Sequence, residues 1–407
     1  MVVIAVIFAK YIKAPTLINH WETYMLLGSS LTFFYVSGMG YTLVSFVKKH
    51  NISSWPSIFR NSFQLLFMLS CLSFFGIVCI GHFNPMYSYP LTDLCAFGIY
   101  SIAMVCSTIL EYMYFINRAY KKLLLWGFVN FIAFVSCATL PLIFGLPFRY
   151  SILALAIYGT IKLTYTLLHI DNPFTLKQNN FFKPLIRFNW PIVSSLLLGT
   201  GYIYLASFIL KVHVSDQAFN VFRYGSREFP LFLVMANALS IVLGGLTAEK
   251  YNKTDYWMTL KKSHRRLLHQ LMPIACFLML SSSYLFEILF SKSFIPSFII
   301  FNILNLTLLA RVLFPQSLLL GLGKNRYFFY SSLFECGVGI LLVMLLIPNY
   351  GIQGVAYGLS IAFFAEKSLL IYYCYRQGIP FHKSLDLGWY IFYSILLLSC
   401  FIWSLNL

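Results

Sequence analysis

Nine ionisable residues lie inside long apolar stretches of this chain: Glu111, Lys162, Arg223, Arg227, Glu228, Arg311, Glu335 and the adjacent Glu366 and Lys367; the first seven are the candidate site residues. A charge in an apolar medium is costly. Such groups face a bundle interior or a watery cavity, and they mark substrate or ion paths. Arg223 and Arg227 are four residues apart, so a helix stacks them on one face, with Tyr224 and Glu228 on the adjacent ridge. Two guanidiniums on one face need an anion, from the protein or from a ligand. The planar fork of arginine matches phosphate or carboxylate oxygens in pairs. Two plainer readings compete: Glu228 and another glutamate neutralise the pair, or the long side chains snorkel to the membrane surface. Arg311, Lys162 and Glu335 sit near mid-helix and Glu111 nearer one end. Glu366-Lys367 reads as a self-neutralising local pair, and Asp93 and Glu287 as interfacial groups. The expected picture is one cavity of mixed sign, more cationic in the second half of the chain.

Sequence motifs for covalent chemistry are missing. Gly321-Leu-Gly-Lys324 lacks the spacing and the following Ser or Thr of a phosphate-binding loop. There is no GxSxG and no HExxH. The nine cysteines all fall in apolar stretches without CxxC spacing and read as small core hydrophobes. The expectation is a non-enzyme with no metal and no cofactor. With no nucleotide site, any transport must run on a H+ or Na+ gradient or on the substrate's own gradient.

The elements that carry these residues follow from composition. The chain has 407 residues, 59% hydrophobic and 10% charged, where a soluble domain carries about 25% charged residues. That balance excludes a water-soluble enzyme, a disordered chain and a nucleic-acid-binding domain, despite the net charge of +17. Apolar runs such as 62–82 and 123–146 are continuous, not alternating, which excludes a membrane barrel. In lipid every backbone polar group must be paired within its segment, so the runs are helices. A span takes about 20 residues. The pattern predicts 13 helices, at 1–12, 24–47, 62–82, 90–117, 123–146, 150–169, 187–210, 218–247, 267–289, 297–322, 325–347, 352–376 and 386–406. The first is too short to cross a bilayer, which points to a late start site or a truncated helix. No cleavable signal peptide is read at the N-terminus.

Positive charge orients the spans. Nineteen of the 29 Lys and Arg fall in every second loop, including Lys121, Lys122, Arg265 and Arg266; five fall in the loops between them, and five lie within spans. Basic loops stay on the cytoplasmic side. The N-terminus is therefore expected in the cytoplasm and the C-terminus, after a thirteenth helix, outside. The net positive charge is a topology signal.

Four matched pairs indicate an internal repeat. Asn117-Arg118 pairs with Asn325-Arg326, Leu140-Pro141 with Ile347-Pro348, Tyr158-Gly159 with Tyr357-Gly358, and Lys49-His-Asn51 with Lys250-Tyr-Asn252. The separations are 208, 207, 199 and 201 residues. Six is an even number of helices, so both halves enter from one side. Such parallel repeats are related by an axis along the membrane normal and hold substrate between them. The expected division is an N-terminal six-helix bundle over 1–169, a linker over 170–186, a C-terminal six-helix bundle over 187–376 and an extra helix over 377–407. In the linker Phe174, Leu176, Phe181 and Phe182 alternate with Lys177, Gln178, Asn179 and Lys183. It reads either as an amphipathic segment on the headgroups or as a plain loop.

Four motifs carry a family resemblance: Ile347-Pro-Asn-Tyr-Gly-Ile-Gln-Gly-Val-Ala-Tyr-Gly358, Arg187-Phe-Asn-Trp-Pro191, Arg223-Tyr-Gly-Ser-Arg-Glu-Phe-Pro230 and Leu320-Gly-Leu-Gly-Lys-Asn-Arg326. With them the chain resembles polysaccharide exporters of the multidrug/oligosaccharidyl-lipid/polysaccharide superfamily, and in particular the O-antigen-type lipid-linked oligosaccharide flippases. The resemblance implies a MATE-like all-α fold of two six-helix bundles in the bacterial inner membrane. It implies translocation of an undecaprenyl-pyrophosphate-linked oligosaccharide from the cytoplasmic to the outer leaflet by alternating access. Membrane lipids and other polysaccharide-assembly proteins would be its partners, with no role for nucleic acid. The departures are the short first helix and 13 spans in place of 12 or 14. Two alternatives stay open. A multidrug or small-metabolite antiporter of the same fold should have acidic cavity walls. A membrane glycan polymerase or ligase should have a long outer loop, and none here exceeds about 15 residues.

Overall fold

The computed structural model describes residues 2–12, 14–47, 55–83, 89–170, 182–227, 229–250 and 255–405. Its elements are helical throughout: α1 Val2–Ile7, running into a short π-helix Phe8–Ile12, then α2 Pro15–Val47, α3 Trp55–Phe83, α4 Leu91–Ile116, α5 Tyr120–Ile143, α6 Phe148–Leu167, α7 Phe182–His213, α8 Asp216–Gly225, α9 Pro230–Lys250, α10 Tyr256–Leu289, α11 Ser297–Asn305, α12 Leu308–Arg311, α13 Pro315–Gly321, α14 Asn325–Arg376 and α15 Leu387–Ser404. Seven of the described helices are long and apolar enough to cross a membrane, or eight with the bent pair 297–311 and 315–321 taken as one span. The sequence reading of 13 spans differs for physical reasons. α14 counts once here although Gly351 (φ 54°, ψ −129°) divides it into two arms, matching the expected helices 325–347 and 352–376. Two other expected spans, 218–247 and 297–322, are each broken into shorter helices.

The chain forms two compact units, residues 1–201 and 202–407. The expected linker falls largely on residues outside those described, 171–181. In the first unit α4 is the central helix, packed against α3 and α6. Gly159 permits the close approach of α6: a Cβ there would lie 3.1 Å from the Ala103 Cβ and 3.3 Å from the Tyr100 Cα. In the second unit the corresponding Gly358 fits against the first arm of α14, where a Cβ would meet the Val343 backbone nitrogen at 3.0 Å. The repeated Tyr-Gly pair is thus a packing device in both halves, although it docks on different neighbours. α15 lies along α10, held by Arg265 and Asp386 at 2.5 Å and by His269 and the Tyr393 hydroxyl at 2.9 Å.

Candidate functional site

The seven expected site residues fall into separate groups. Glu111 and Lys162 belong to the first unit. Arg223, Arg227, Arg311 and Glu335 belong to the second, and Glu228 lies outside the described residues.

In the second unit the breaks in the helices set the geometry. α8 ends at Gly225, where helical backbone leaves its last carbonyls without intrahelical donors. Arg223 therefore lies in the last turn of α8 and Arg227 in the break before α9. This corrects the expectation that one continuous helix stacks both on a single face. The Arg227 guanidinium instead lies 4.9 Å from the ring centre of Tyr224. The second break is sharper. α12 ends at Arg311, and the chain then turns through Phe314, which is buried in a left-handed conformation at φ 40°. A left-handed bulky residue stores strain, and such strain collects at functional sites. Pro315 then opens α13 at a position where its missing N–H costs nothing.

The two breaks meet at one cavity. Its lining includes Arg227 and Ser226 from the first break, Arg311 from the edge of the second, Asn305 and Thr307 from the junction of α11 and α12, and the apolar Phe229, Phe232, Phe301, Leu304 and Leu308. Arg223 is not part of it. The cavity is about 20 Å³, room for about one water molecule. Chemically it offers two guanidinium forks, two hydroxyls and an amide inside an apolar shell. That donor set suits an anion with several oxygens. Arg311, the last residue of α12, also complements that helix's dipole.

Glu335 is buried on the first arm of α14 and accepts a hydrogen bond of 2.8 Å from Tyr202 of α7. Glu366 and Lys367 form the expected local pair at 2.8 Å. Lys367 also donates to the Gln316 side chain at 3.2 Å. Its ammonium and the Arg311 guanidinium both approach the Phe363 ring, at 4.8 and 5.5 Å.

The first unit holds a different site. Lys162 of α6 is buried and donates to Glu111 of α4 at 3.3 Å, while the Glu111 side chain keeps 41% of its exposure. The ammonium also lies 5.7 Å from the Trp126 ring centre. These residues floor an open groove of about 660 Å³ whose walls include Phe128, Phe131, Phe134, Asn130 and Tyr158. Tyr158 donates to the Asn130 side-chain oxygen at 2.6 Å, which fixes both.

Some polar residues escaped the sequence reading. Glu22 is 1% exposed within α2. The polar run Asn19-His-Trp-Glu22 reads as a flank, yet Pro15 at the helix start signals an earlier beginning. Asp93, expected at the interface, is buried with Arg149 3.7 Å away. Lys211, expected in a loop, is buried in α7 and pairs with Asp216 at 2.6 Å. Tyr202 and Gln316 carry no charge and gave no signal.

No family model matches the chain, and no curated protein matches it by sequence. Solved structures do. The fold is similar to that of the lipid II flippase MurJ in an inward closed conformation, with a TM-score of 0.69 at 13% identity over 100% of this chain and 90% of that one. It is similar to an inward-facing multidrug resistance MATE transporter of the MOP superfamily, with a TM-score of 0.70 at 12% identity over 92% of this chain and 93% of that one. A MOP superfamily transporter from Pyrococcus furiosus, described as having reversed polarity in its binding pocket, matches with a TM-score of 0.62 at 11% identity over 92% and 90%. At such identities the likeness is one of fold. The chain is an all-α, multi-pass membrane protein with the fold of MOP-superfamily transporters and flippases.

Proposed function

We propose that this protein moves a lipid carrying an anionic, phosphate-rich headgroup across the membrane, with an undecaprenyl-pyrophosphate-linked oligosaccharide of the O-antigen type as its substrate. The observation that carries the reading is the convergence of Arg227 and Arg311, from two separate helix breaks, on one cavity with Ser226, Asn305 and Thr307. Broken helices in transporters present backbone ends and side chains to charged substrate groups. The cavity as it stands admits about one water, so a diphosphate enters only as the breaks part. The same movement would form and close the site, as alternating access requires. The neighbours named as a lipid II flippase and as multidrug transporters support a transporter in place of an enzyme. The charge pattern of the loops supports a cytoplasmic N-terminus, and the resemblance to lipid-linked oligosaccharide flippases implies a bacterial inner membrane.

The groove of the first unit favours a second reading. A half-exposed Glu111 carboxylate among aromatic rings suits an organic cation, as expected of a multidrug or metabolite antiporter. The experiment that separates the two is transport by the purified protein in vesicles. A fluorescent lipid-linked oligosaccharide should change leaflet, with loss in Arg227→Gln, while a lipophilic cation such as ethidium should not be moved. Ethidium transport without lipid movement would select the second reading.

A further inference from the structure

The helix α10 extends beyond its apolar part. The apolar part begins at Leu267, and the turns before it carry Lys261, Lys262, Arg265 and Arg266. The helical repeat sorts this segment into two faces. Leu260, His264, Leu267 and Leu268 are buried, while the four cations and His269 are exposed. Lys383, on the short turn packed against α10, is exposed as well. Within 255–269 and 381–389 the acids are Asp255 and Asp386, and Asp386 is buried in its ion pair with Arg265. The exposed surface is therefore strongly cationic.

The seam with α15 sets the depth of this patch. The His269 Nδ1 lies 2.9 Å from the Tyr393 hydroxyl, and its ring meets Trp389 edge-on at 4.5 Å. Trp389 keeps 39% of its exposure. Tryptophan and tyrosine collect at the headgroup level of a bilayer, where an apolar ring and a polar tip are both satisfied. The turn Arg265–His269 and the start of α15 thus lie at that level, on the side expected in the cytoplasm. Deeper along the same two helices Phe277, Phe392 and Ile395 are exposed. The donors are also held in place. Asp386 engages Arg265 through Nε, and half of that side chain stays exposed, which leaves its terminal nitrogens for another anion. Asp386 is fixed in turn, its backbone N–H donating to His264 Nδ1 at 3.1 Å.

We propose that the α10–α15 seam binds an acidic phospholipid, with the headgroup phosphate on Lys262, Arg265 and Arg266 and the glycerol and acyl chains over Trp389 and the apolar residues beyond it. Charge decides the occupant: a cationic surface at headgroup depth selects an anionic headgroup over a zwitterionic one. The exposed apolar residues that continue from it suit acyl chains better than a water-soluble phosphate. A lipid bridging the two helices fastens α15, whose principal packing partner is α10. The seam shares no residue with the cavity of Arg227 and Arg311, so it stands whatever that cavity holds.

Tryptophan quenching by bromine-labelled lipids in nanodiscs tests the site. Brominated phosphatidylglycerol and brominated phosphatidylcholine carry the same quencher on different headgroups. In wild type the phosphatidylglycerol should quench more, and Trp389→Phe should remove that excess. Combining Lys262→Gln with Arg266→Gln should raise the amount of brominated phosphatidylglycerol needed for half of the excess by about tenfold or more. Combining Lys121→Gln with Lys122→Gln, at exposed positions of another loop on the same expected side, removes equal charge and should leave the excess unchanged. The substituted residues are all exposed, so the fold should survive, with size-exclusion chromatography as the check. Equal quenching by the two lipids, or an excess that survives Trp389→Phe, would overturn the proposal. So would an equal loss in the Lys121 and Lys122 variant, which would mean attraction by overall charge. Reversal of the excess by inorganic phosphate, beyond the effect of chloride at equal ionic strength, would assign the cations to a soluble anion instead.

Discussion

Arg227 and Arg311 line the same cavity although each sits in a different interruption of the helical chain. A continuous helix at either place would carry its arginine round the cylinder with the helical repeat. The breaks release both side chains from that periodicity, and the left-handed Phe314 holds the second break in a conformation that costs energy.

The first prediction concerns these two arginines. Arg227→Gln and Arg311→Gln should each weaken the hold on an anionic headgroup by about 1.5–3 kcal/mol, roughly tenfold to a hundredfold, as expected for a lost charge-assisted hydrogen bond. Lysine should restore only part, because it keeps the charge and loses the fork. A surface-glycan gel beside a membrane-fraction blot reads both quantities. Loss of the protein itself from the membrane would assign the arginines to bracing the breaks. Normal glycan at normal protein levels would place the headgroup elsewhere.

The pair in the first unit should respond asymmetrically. Lys162 has a side chain 3% exposed, whereas Glu111 keeps 41%. Removing Glu111 leaves a buried ammonium without its counter-ion, which typically costs several kcal/mol. Removing Lys162 leaves a carboxylate that the open groove still reaches. Glu111→Gln should therefore melt at a lower temperature than Lys162→Met in detergent, followed by size-exclusion fluorescence. The reverse order would contradict the burial asymmetry.

Glycine contacts give a steric prediction with an internal control. A Cβ at Gly225, beside the first break, would lie 2.4 Å from the Ser297 carbonyl oxygen and 2.7 Å from the Ile300 Cβ. Gly225→Ala must push α8 from α11 and should cost about 1–3 kcal/mol, with a matching loss of transport. Gly127 in α5 has nothing within 4 Å of the same atom. Gly127→Ala should leave transport intact and stabilise its helix by about 0.5–1 kcal/mol. Thermal melts of the two variants should move in opposite directions.

Much of this architecture is legible in the sequence because hydropathy and charge placement are strong signals in lipid. The continuous apolar runs required helices, and Ile347-Pro348 to Tyr357-Gly358 correctly separated the two arms of α14. The breaks were less legible. Span 218–247 reads as one helix, yet α8 stops at Gly225 and α9 opens at Pro230, a breaker within the run. Span 297–322 contains Pro315, a visible breaker, but nothing local requires Phe314 to be left-handed. The charged members of the site were visible because charges are rare in lipid. Tyr202 and Gln316 were not, since uncharged polar residues are common in packed helices and only the fold brings them to Glu335 and Lys367.

The loop charges predict topology. Single cysteines placed in a cysteine-free background at Lys121 and Arg265 should be protected from a membrane-impermeant maleimide in intact cells, and one at Asn349 should be labelled. Outside labelling at position 121 would invert the orientation.

The central claim is movement of an intact anionic lipid, and one measurement addresses it most directly. Purified protein in vesicles, given a labelled undecaprenyl-pyrophosphate oligosaccharide in one leaflet, should expose the label in the other leaflet. The glycan should stay chemically unchanged, and the movement should fall tenfold or more when Arg227 and Arg311 are both replaced by glutamine. Lengthened or transferred glycan, or equal leaflet exchange in the double variant, would contradict the account.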